Sequence, residues 1–366
     1  MNESVYINLW NKINENYMTA PEDSNGNPQP SFMKHLELMY SPEEAGLLQY
    51  MKRPGQFTTT EEVSEVSGKP LKFVEDALDR LHKRNSLIGM GNFYSLLPIP
   101  LLLNHHMFYP EVKPEDIEAA GLYQDYFIND KYYRYYEGSK KGTPVMRTIP
   151  LEIAIESEQK VLSAEEAHDF ILNYAPEEMA LVPCPCRTRT EKMGIRECKD
   201  QFPVASCIML GSTALHFEML DLGKRITRQQ AVKYFDEMQE LGMVGQADNT
   251  IAGNSIICMC CGCCCSQLRG RTRWDNMSAL LPANFIPRAG DDCISCEACT
   301  DRCFFEALSI DGETSRAVVD SEKCIGCGVC TLTCPQETLK LYRHERSTPF
   351  STAREMIKTI AKENRE

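Results

Sequence analysis

The stretch Cys258-Met259-Cys260-Cys261-Gly262-Cys263-Cys264-Cys265 puts six thiols into eight residues, and no other feature constrains the chain as strongly. Packing alone does not ask for it, because a buried free cysteine acts as a small hydrophobe that Ala or Val replaces without redox liability. Two chemistries are left: metal ligation and thiol–disulfide exchange. The chain carries 18 Cys. Its N-terminal residues, MNESVYINLWNKINENY, lack the basic segment and continuous apolar core of a secretory signal. A cytoplasmic setting is therefore expected, in which thiols stay reduced and clustered cysteines read as metal sites before they read as disulfides.

At 366 residues and 43% hydrophobic, the chain is long enough for roughly two or three domains with packed cores. No apolar run reaches the roughly 18 to 20 residues of a membrane span; the nearest, residues 94–103, is broken by Pro98 and Pro100. The net charge of −13 argues against wholesale nucleic-acid binding and fits a partner with a basic docking face.

Residues 1–40 hold one amphipathic helix candidate (Tyr6, Leu9, Trp10, Ile13, Tyr17) and a Pro/Asn/Gly/Ser-rich connector at 21–31, an arm expected to pack on a neighbouring domain or subunit. Ser41-Pro42-Glu43-Glu44 supplies an N-cap, a first-turn Pro and a capping-box Glu. Thr59-Thr60-Glu61-Glu62 opens a second short helix ending at Gly68, and a third follows Pro70 with Phe73, Val74, Ala77, Leu78 and Leu81 at helical spacing. Residues 87–96 read as two short strands around a Gly-rich turn. Three helices and a hairpin in this order resemble a winged helix-turn-helix domain over residues 41–104. DNA binding does not follow, since Glu75, Asp76 and Asp79 interleave with Lys69, Lys72, Arg80, Lys83 and Arg84, and a DNA footprint is clearly basic. Nucleic acid is an unlikely partner on this ground, and protein contact the favoured one.

Residues 105–180 read as a helical connector with helix starts at Pro114-Glu115-Asp116-Ile117 and Ser163-Ala164-Glu165-Glu166. His105-His106 has no Cys or carboxylate neighbour in sequence and reads as structural. Residues 181–280 read as a helical cysteine-rich iron–sulfur domain. It holds Cys184, Cys186, Cys198 and Cys207, then a helical spacer at 207–222, a Thr227-Arg228-Gln229-Gln230 capping box and a helix to Gly242, then the stretch at 258–265. Folding the spacer back brings the two thiol groups together. Corners of a [4Fe-4S] cubane need a turn between ligands, so six thiols in eight residues do not all serve one cube. The ten thiols are compatible with two cubanes and two spare thiols, with one cubane plus reactive thiols, or with an unusual cluster carrying an open site; zinc on four thiolates is the structural alternative. Arg187, Arg189, Lys192 and Arg196, then Arg269, Arg271 and Arg273, surround these thiols in sequence. Arg187, Arg189 and Arg269 are candidates for offsetting cluster charge or binding an anion, against the plainer reading of a solvated basic loop.

The most specific signal is Cys293-x2-Cys296-x2-Cys299-x3-Cys303, repeated as Cys324-x2-Cys327-x2-Cys330-x3-Cys334-Pro335. It resembles the bacterial two-[4Fe-4S] ferredoxin domain over residues 285–345. In that family the fourth Cys of each run ligates the other cluster. The resemblance implies that Cys293, Cys296, Cys299 and Cys334 hold one cube, and Cys324, Cys327, Cys330 and Cys303 the second. It also implies short strands at 307–310 and 338–341 in a pseudo-symmetric unit. One departure is visible: Cys303 is followed by Phe304 where the family places Pro. Residues 346–366 end in a charged helix with Met356, Ile357 and Ile360 on one face, for docking or self-packing.

Across residues 180–345, a CPC loop, a capped helical spacer and a cysteine-packed stretch resemble ferredoxin-containing iron–sulfur proteins of anaerobic bacteria and archaea, which implies low-potential electron transfer. The triplet Cys260-Cys261-Gly262 is similar to the CCG segments of heterodisulfide reductases, although that family pairs two such segments and this chain has one. The expectation is an α+β, mostly helical multidomain protein with a winged helix domain, a helical cysteine-rich domain and a C-terminal ferredoxin-like domain. Two [4Fe-4S] clusters are expected in the last, with one or two further clusters at residues 184–265. Its function is then electron transfer to or from a partner oxidoreductase. The alternatives are a reductase acting at an open iron or thiol site in 184–265, and a redox-sensing DNA-binding regulator. Neither a G-x-G-x-x-G nor a phosphate-binding G-x-x-x-x-G-K segment is present, so a flavin in the reaction would reside on the partner. Self-association through the N-terminal arm or C-terminal helix completes the expected partners.

Overall fold

The computed structural model describes residues 2–23, 25–159, 167–346 and 348–366; the helix start expected at Ser163 to Glu166 lies outside them. Helices and strands are mixed along the chain. The cysteine-rich part is built on a six-stranded antiparallel sheet in the order Met146–Ile149, Val244–Asp248, Ile256–Cys260, Ser206–Leu210, Met179–Pro183 and Lys224–Arg225. This differs from the helical domain expected at 181–280; the described residues of 105–180 are mainly helical and contribute the strands Met146–Ile149 and Met179–Pro183 to the sheet. Runs such as Cys207-Ile208-Met209-Leu210 are short and buried on both faces, and periodicity does not separate such a run from a buried helix. The helix expected over 207–222 is instead the strand Ser206–Leu210 and the helix Ser212–Met219. They are parted at Gly211, whose φ of 58° is open to glycine at little cost.

Side-chain alternation along these strands creates two cores. Ile208, Leu210, Ile257 and Met259 face one that contains Phe170, Ile171 and Phe235. Cys207, Met209, Cys258 and Cys260 face the other, which is shared with the N-terminal helices. The helix Arg228–Glu240 packs on the sheet and carries the Thr227–Gln230 capping box.

Helices Pro42–Leu48, Thr60–Ser67 and Leu71–Lys83 are followed by strands Ile88–Met90 and Phe93–Ser95, which pair with Thr58–Thr59 in the order Thr58–Thr59, Phe93–Ser95, Ile88–Met90. Capping boxes at Ser41/Glu44 and Thr59/Glu62 start the first two helices, and Gly68 at φ 68° ends the second. Val74, Ala77, Leu78 and Leu81 of the third are buried, each larger one contributing roughly 1.5–3 kcal/mol. The connector at 21–31 is shorter than expected, because Pro30 opens a second N-terminal helix, Pro30–Met39, that buries Phe32, Leu36 and Met39. The first helix, Asn2–Asn14, packs within this chain, with Tyr6, Leu9, Trp10 and Ile13 buried and the Tyr6 hydroxyl donating to the Tyr40 carbonyl.

Near the C-terminus, Phe285–Ala289 pairs with Leu339–Arg343 and Leu308–Ile310 with Ala317–Val319. Phe350–Thr352 then adds in parallel to Thr250–Ala252, and the helix Ala353–Arg365 buries Met356 and Ile360 against the rest of the chain. Most of the apolar face of the arm and of this last helix is thus covered within the chain, while Ile7 and Ile357 stay exposed. Among the described residues no helix is long and apolar enough to cross a membrane.

Candidate metal centres

The C-terminal cysteines lie in two groups. Cys293, Cys296, Cys299 and Cys334 line one cavity, and Cys303, Cys324, Cys327 and Cys330 line another, so each group takes three thiols from one run and one from the other. The donor set fits a cubane: four thiols converge on one space, and backbone N–H groups point at the sulfurs, Ala307 to Cys303 at 3.5 Å and Gly326 to Cys324 at 3.4 Å, contacts of the kind that tune a cluster's potential. Burial pushes the Cys330 thiol well up and the Cys327 thiol up to about 12, so these sites favour a bound cation over free thiolates. Cys296 is exposed, beside exposed Asp291, Asp292 and Glu297.

The ten remaining thiols divide into two further groups, and strand register explains the division. Cys258 and Cys260 lie two residues apart on one strand and so face the same side. Ile257 is paired with Ile208, which brings Cys258 beside Cys207, sulfur to sulfur at 3.6 Å. Cys184 caps the helix Pro185–Lys192 at the end of the neighbouring strand, with Cys186 in its first turn. Cys265 returns from the loop. Neighbour contacts then close a ring of six: Cys184 to Cys186, Cys186 to Cys265, Cys265 to Cys260, Cys260 to Cys258, Cys258 to Cys207, and Cys207 to Cys184. Hydrogen bonding to Cys186 and Cys207 pushes the Cys184 thiol up, while the bond from Cys184 holds those two down. Polar groups line the ring. Ser266 N–H approaches Cys186 at 3.5 Å, Gln246 Nε2 donates to Cys265 at 3.6 Å, and the Tyr123 hydroxyl meets Ser266 Oγ at 2.7 Å.

After Cys260 the chain turns to the opposite core, and there Cys261, Cys263 and Cys264 meet Cys198. All four sulfurs lie within 4.8 Å of one another. The neighbour distances are 3.7 Å for Cys198–Cys261 and Cys198–Cys264, and 3.6 Å for Cys261–Cys263 and Cys263–Cys264. Hydrogen bonds from Cys198, Cys263 and Cys264 hold the Cys261 thiol down, and Cys198 and Cys264 are pushed up in return. The directly adjacent Cys260/Cys261 and Cys264/Cys265 diverge to different groups, whereas Cys263 and Cys264 share one.

The basic residues expected around these thiols are not a solvated loop. Arg187 and Arg189 are each 1% exposed. Arg187 Nε donates to the Val204 carbonyl at 2.5 Å and its NH1 lies 3.9 Å from Cys261 Sγ. The thiols Cys184, Cys261, Cys260 and Cys207 favour its charge against the cost of burial. Arg189 stacks over the Tyr123 ring at 3.4 Å, reaches Asn104, and helps hold the Cys186 thiol down. Arg269 lies over Trp274 at 4.9 Å, with its charge acting on the buried Glu137 carboxyl. His105 and His106 pair with the Arg84 carbonyl and Asp116, away from every thiol contact described above.

Sequence reasoning missed the joint between the two halves. Phe304, which stands where the ferredoxin pattern has Pro, presses on Gly262: a Cβ at Gly262 would come 2.9 Å from Phe304 Cβ. Phe304 also receives Arg302 over its ring at 4.9 Å and lies 6.4 Å from Phe202. Arg302 fixes the contact by donating to the Gly242 carbonyl at 2.7 Å. The departure from Pro was the available signal. Thr190, which donates to Cys264 Sγ at 3.2 Å, gave none.

Cysteine pattern and fold define an iron–sulfur protein with a ferredoxin-type domain at its C-terminal end. A family model for the 4Fe-4S dicluster domain matches residues 292–338. Among curated proteins, the chain is similar to the aliphatic sulfonate oxidoreductase, polyferredoxin-like subunit, of Pyrococcus furiosus, 34% identical over 82 residues. That similarity takes in 21% of this chain and 47% of the relative, so the chain spans about half the length of the curated relative it matches. No solved structure matches. The ferredoxin domain and this relative support an electron-transfer role.

Proposed function

We propose that the chain carries electrons between a partner oxidoreductase and a second metal centre held by Cys184, Cys186, Cys207, Cys258, Cys260 and Cys265. One observation carries this reading: six thiols from three separate segments close into a ring inside the protein, with Arg187 and Arg189 buried beside it. Isolated buried charges are expensive; two guanidiniums next to six thiols are explained if those thiols are anionic donors. When bound, [4Fe-4S] groups at the C-terminal quartets supply one-electron transfer. The chain's own residues do the rest. Cys296 and the acidic rim of Asp291, Asp292 and Glu297 are exposed and suit a basic docking face on the partner, which brings any flavin. Phe304 holds the second quartet against the 261–265 loop, and the polar lining of Tyr123, Ser266 and Gln246 orients ring sulfurs. The relative's description as a subunit of an oxidoreductase supports a partner of that class, and the whole arrangement suits a cytoplasmic protein of an anaerobe.

The ring also favours a second reading, a reductase acting at that centre, because six donors exceed the four that a closed tetrahedral site uses. The helices and hairpin at 41–104 are read as a winged-helix unit that contacts protein, since Lys72–Asp76 and Lys83–Asp79 pairs neutralise its third helix. Anaerobic preparation of a Cys207→Ser variant tests the ring. Iron beyond the C-terminal clusters is expected to fall while ferredoxin signals remain; an unchanged iron content would remove the ring as a metal site, and unchanged partner turnover would remove it from the reaction.

A further inference from the structure

We propose that Cys198, Cys261, Cys263 and Cys264 hold one tetrahedral metal ion, zinc or a single iron, at a site separate from the C-terminal quartets and from the six-thiol ring. Four thiolates on one ion at about 2.3 Å lie about 3.8 Å apart along every edge of the tetrahedron. Four of the sulfur–sulfur contacts here are 3.6 or 3.7 Å, and all six pairs lie within 4.8 Å. A cubane places its thiolates outside a four-iron core and therefore farther apart. Among the described residues, the group whose ligand atoms all fall within that span is the one formed by Cys198, Cys261, Cys263 and Cys264. The distances also exclude disulfides, whose sulfurs lie about 2.05 Å apart.

The compact group is built to stay compact. Cys265 N–H donates to the Cys261 carbonyl at 3.3 Å, Thr272 Oγ1 holds the Gly262 carbonyl at 2.9 Å, and Phe304 blocks Gly262 from outside. Opening the turn to admit four irons breaks these contacts. Charge and hydrogen bonding agree with a tetrathiolate ion of net charge −2. Arg187 lies beside Cys261, and Thr190 donates to Cys264. An all-sulfur tetrahedral set selects zinc or iron over harder metals. The ion would tie the segment carrying Cys198 to the turn on which the ferredoxin domain rests, and as iron it would add a one-electron centre at the joint. The proposal stands on these distances and not on the electron-transfer reading.

Native mass spectrometry of the full chain under anaerobic conditions, with metal analysis, tests it. Wild-type protein is expected to carry one ion beyond its clusters, and Cys263→Ser to lose the mass of one metal while keeping the ferredoxin spectrum. Zinc in that position defines a structural ion and iron a redox centre; both support the proposal. Loss of a four-iron cluster's mass, or no mass difference, would overturn it. Should Cys263→Ser fail to fold, wild-type protein decides alone: a holo mass accounted for by clusters without a single ion is the contrary result.

Discussion

Cys260 and Cys261 are bonded neighbours that serve different groups, and the reason is the two-residue repeat of a strand. Cys260 still belongs to Ile256–Cys260 and faces the same core as Cys258; Cys261 begins the turn and joins Cys198. Gly262 completes that turn because Phe304 occupies the space a side chain would need. Gly262→Ala is therefore expected to lower stability by about 1–3 kcal/mol through overpacking, and Phe304→Ala to rescue part of it. Anaerobic unfolding midpoints of the two single variants and the double variant check this, since residues in contact show a coupling of about 0.5–3 kcal/mol; additive effects would deny the contact. The make-up of the C-terminal quartets was legible through the resemblance that their spacing bears to the two-[4Fe-4S] ferredoxin family. The split of the 258–265 thiols was not, because it depends on which residue of Ser206–Leu210 pairs with Ile257, a long-range register that local sequence does not encode.

At the scale of elements, capping chemistry was readable and strand identity was not. Ser41/Glu44, Thr59/Glu62 and Thr227/Gln230 all form the capping boxes their spacing predicts. The strands at 179–183 and 206–210 are too short and too apolar to announce themselves, and Met146–Ile149 is too short. The helix Leu71–Lys83 shows what charge pattern does decide. Its Lys72 and Lys83 are each paired one turn away with Asp76 and Asp79, which leaves little free positive charge for phosphates. Gel shifts with duplex DNA at physiological salt are expected to show no retardation, oxidised or reduced; a shifted band in one state alone would make this unit a redox-dependent DNA reader.

At the scale of the whole molecule, buried neutral histidines tie the N-terminal half together and set its response to acid. Burial lowers His35 and His105 to about 3 and His216 to about 4. His216 meets Asn85 at 2.8 Å and His35 the Leu102 carbonyl at 3.2 Å. A depressed histidine binds fewer protons folded than unfolded, so its contribution is present above the unfolded value near 6.5 and is lost as pH falls below it. Each is expected to cost on the order of 2 kcal/mol by pH 5. Thermal midpoints from pH 7.5 to 5 check this: His216→Gln is expected to flatten the slope, and an equal slope in the variant would contradict the assignment.

Metal held by thiols beyond the ferredoxin domain is read from the iron content of the anaerobically prepared full chain. Two cubanes account for about eight iron atoms per chain. Clearly more is expected, with Cys184, Cys186, Cys207, Cys258, Cys260 and Cys265 protected from alkylation in the native protein. About eight irons with those six thiols freely alkylated would contradict it.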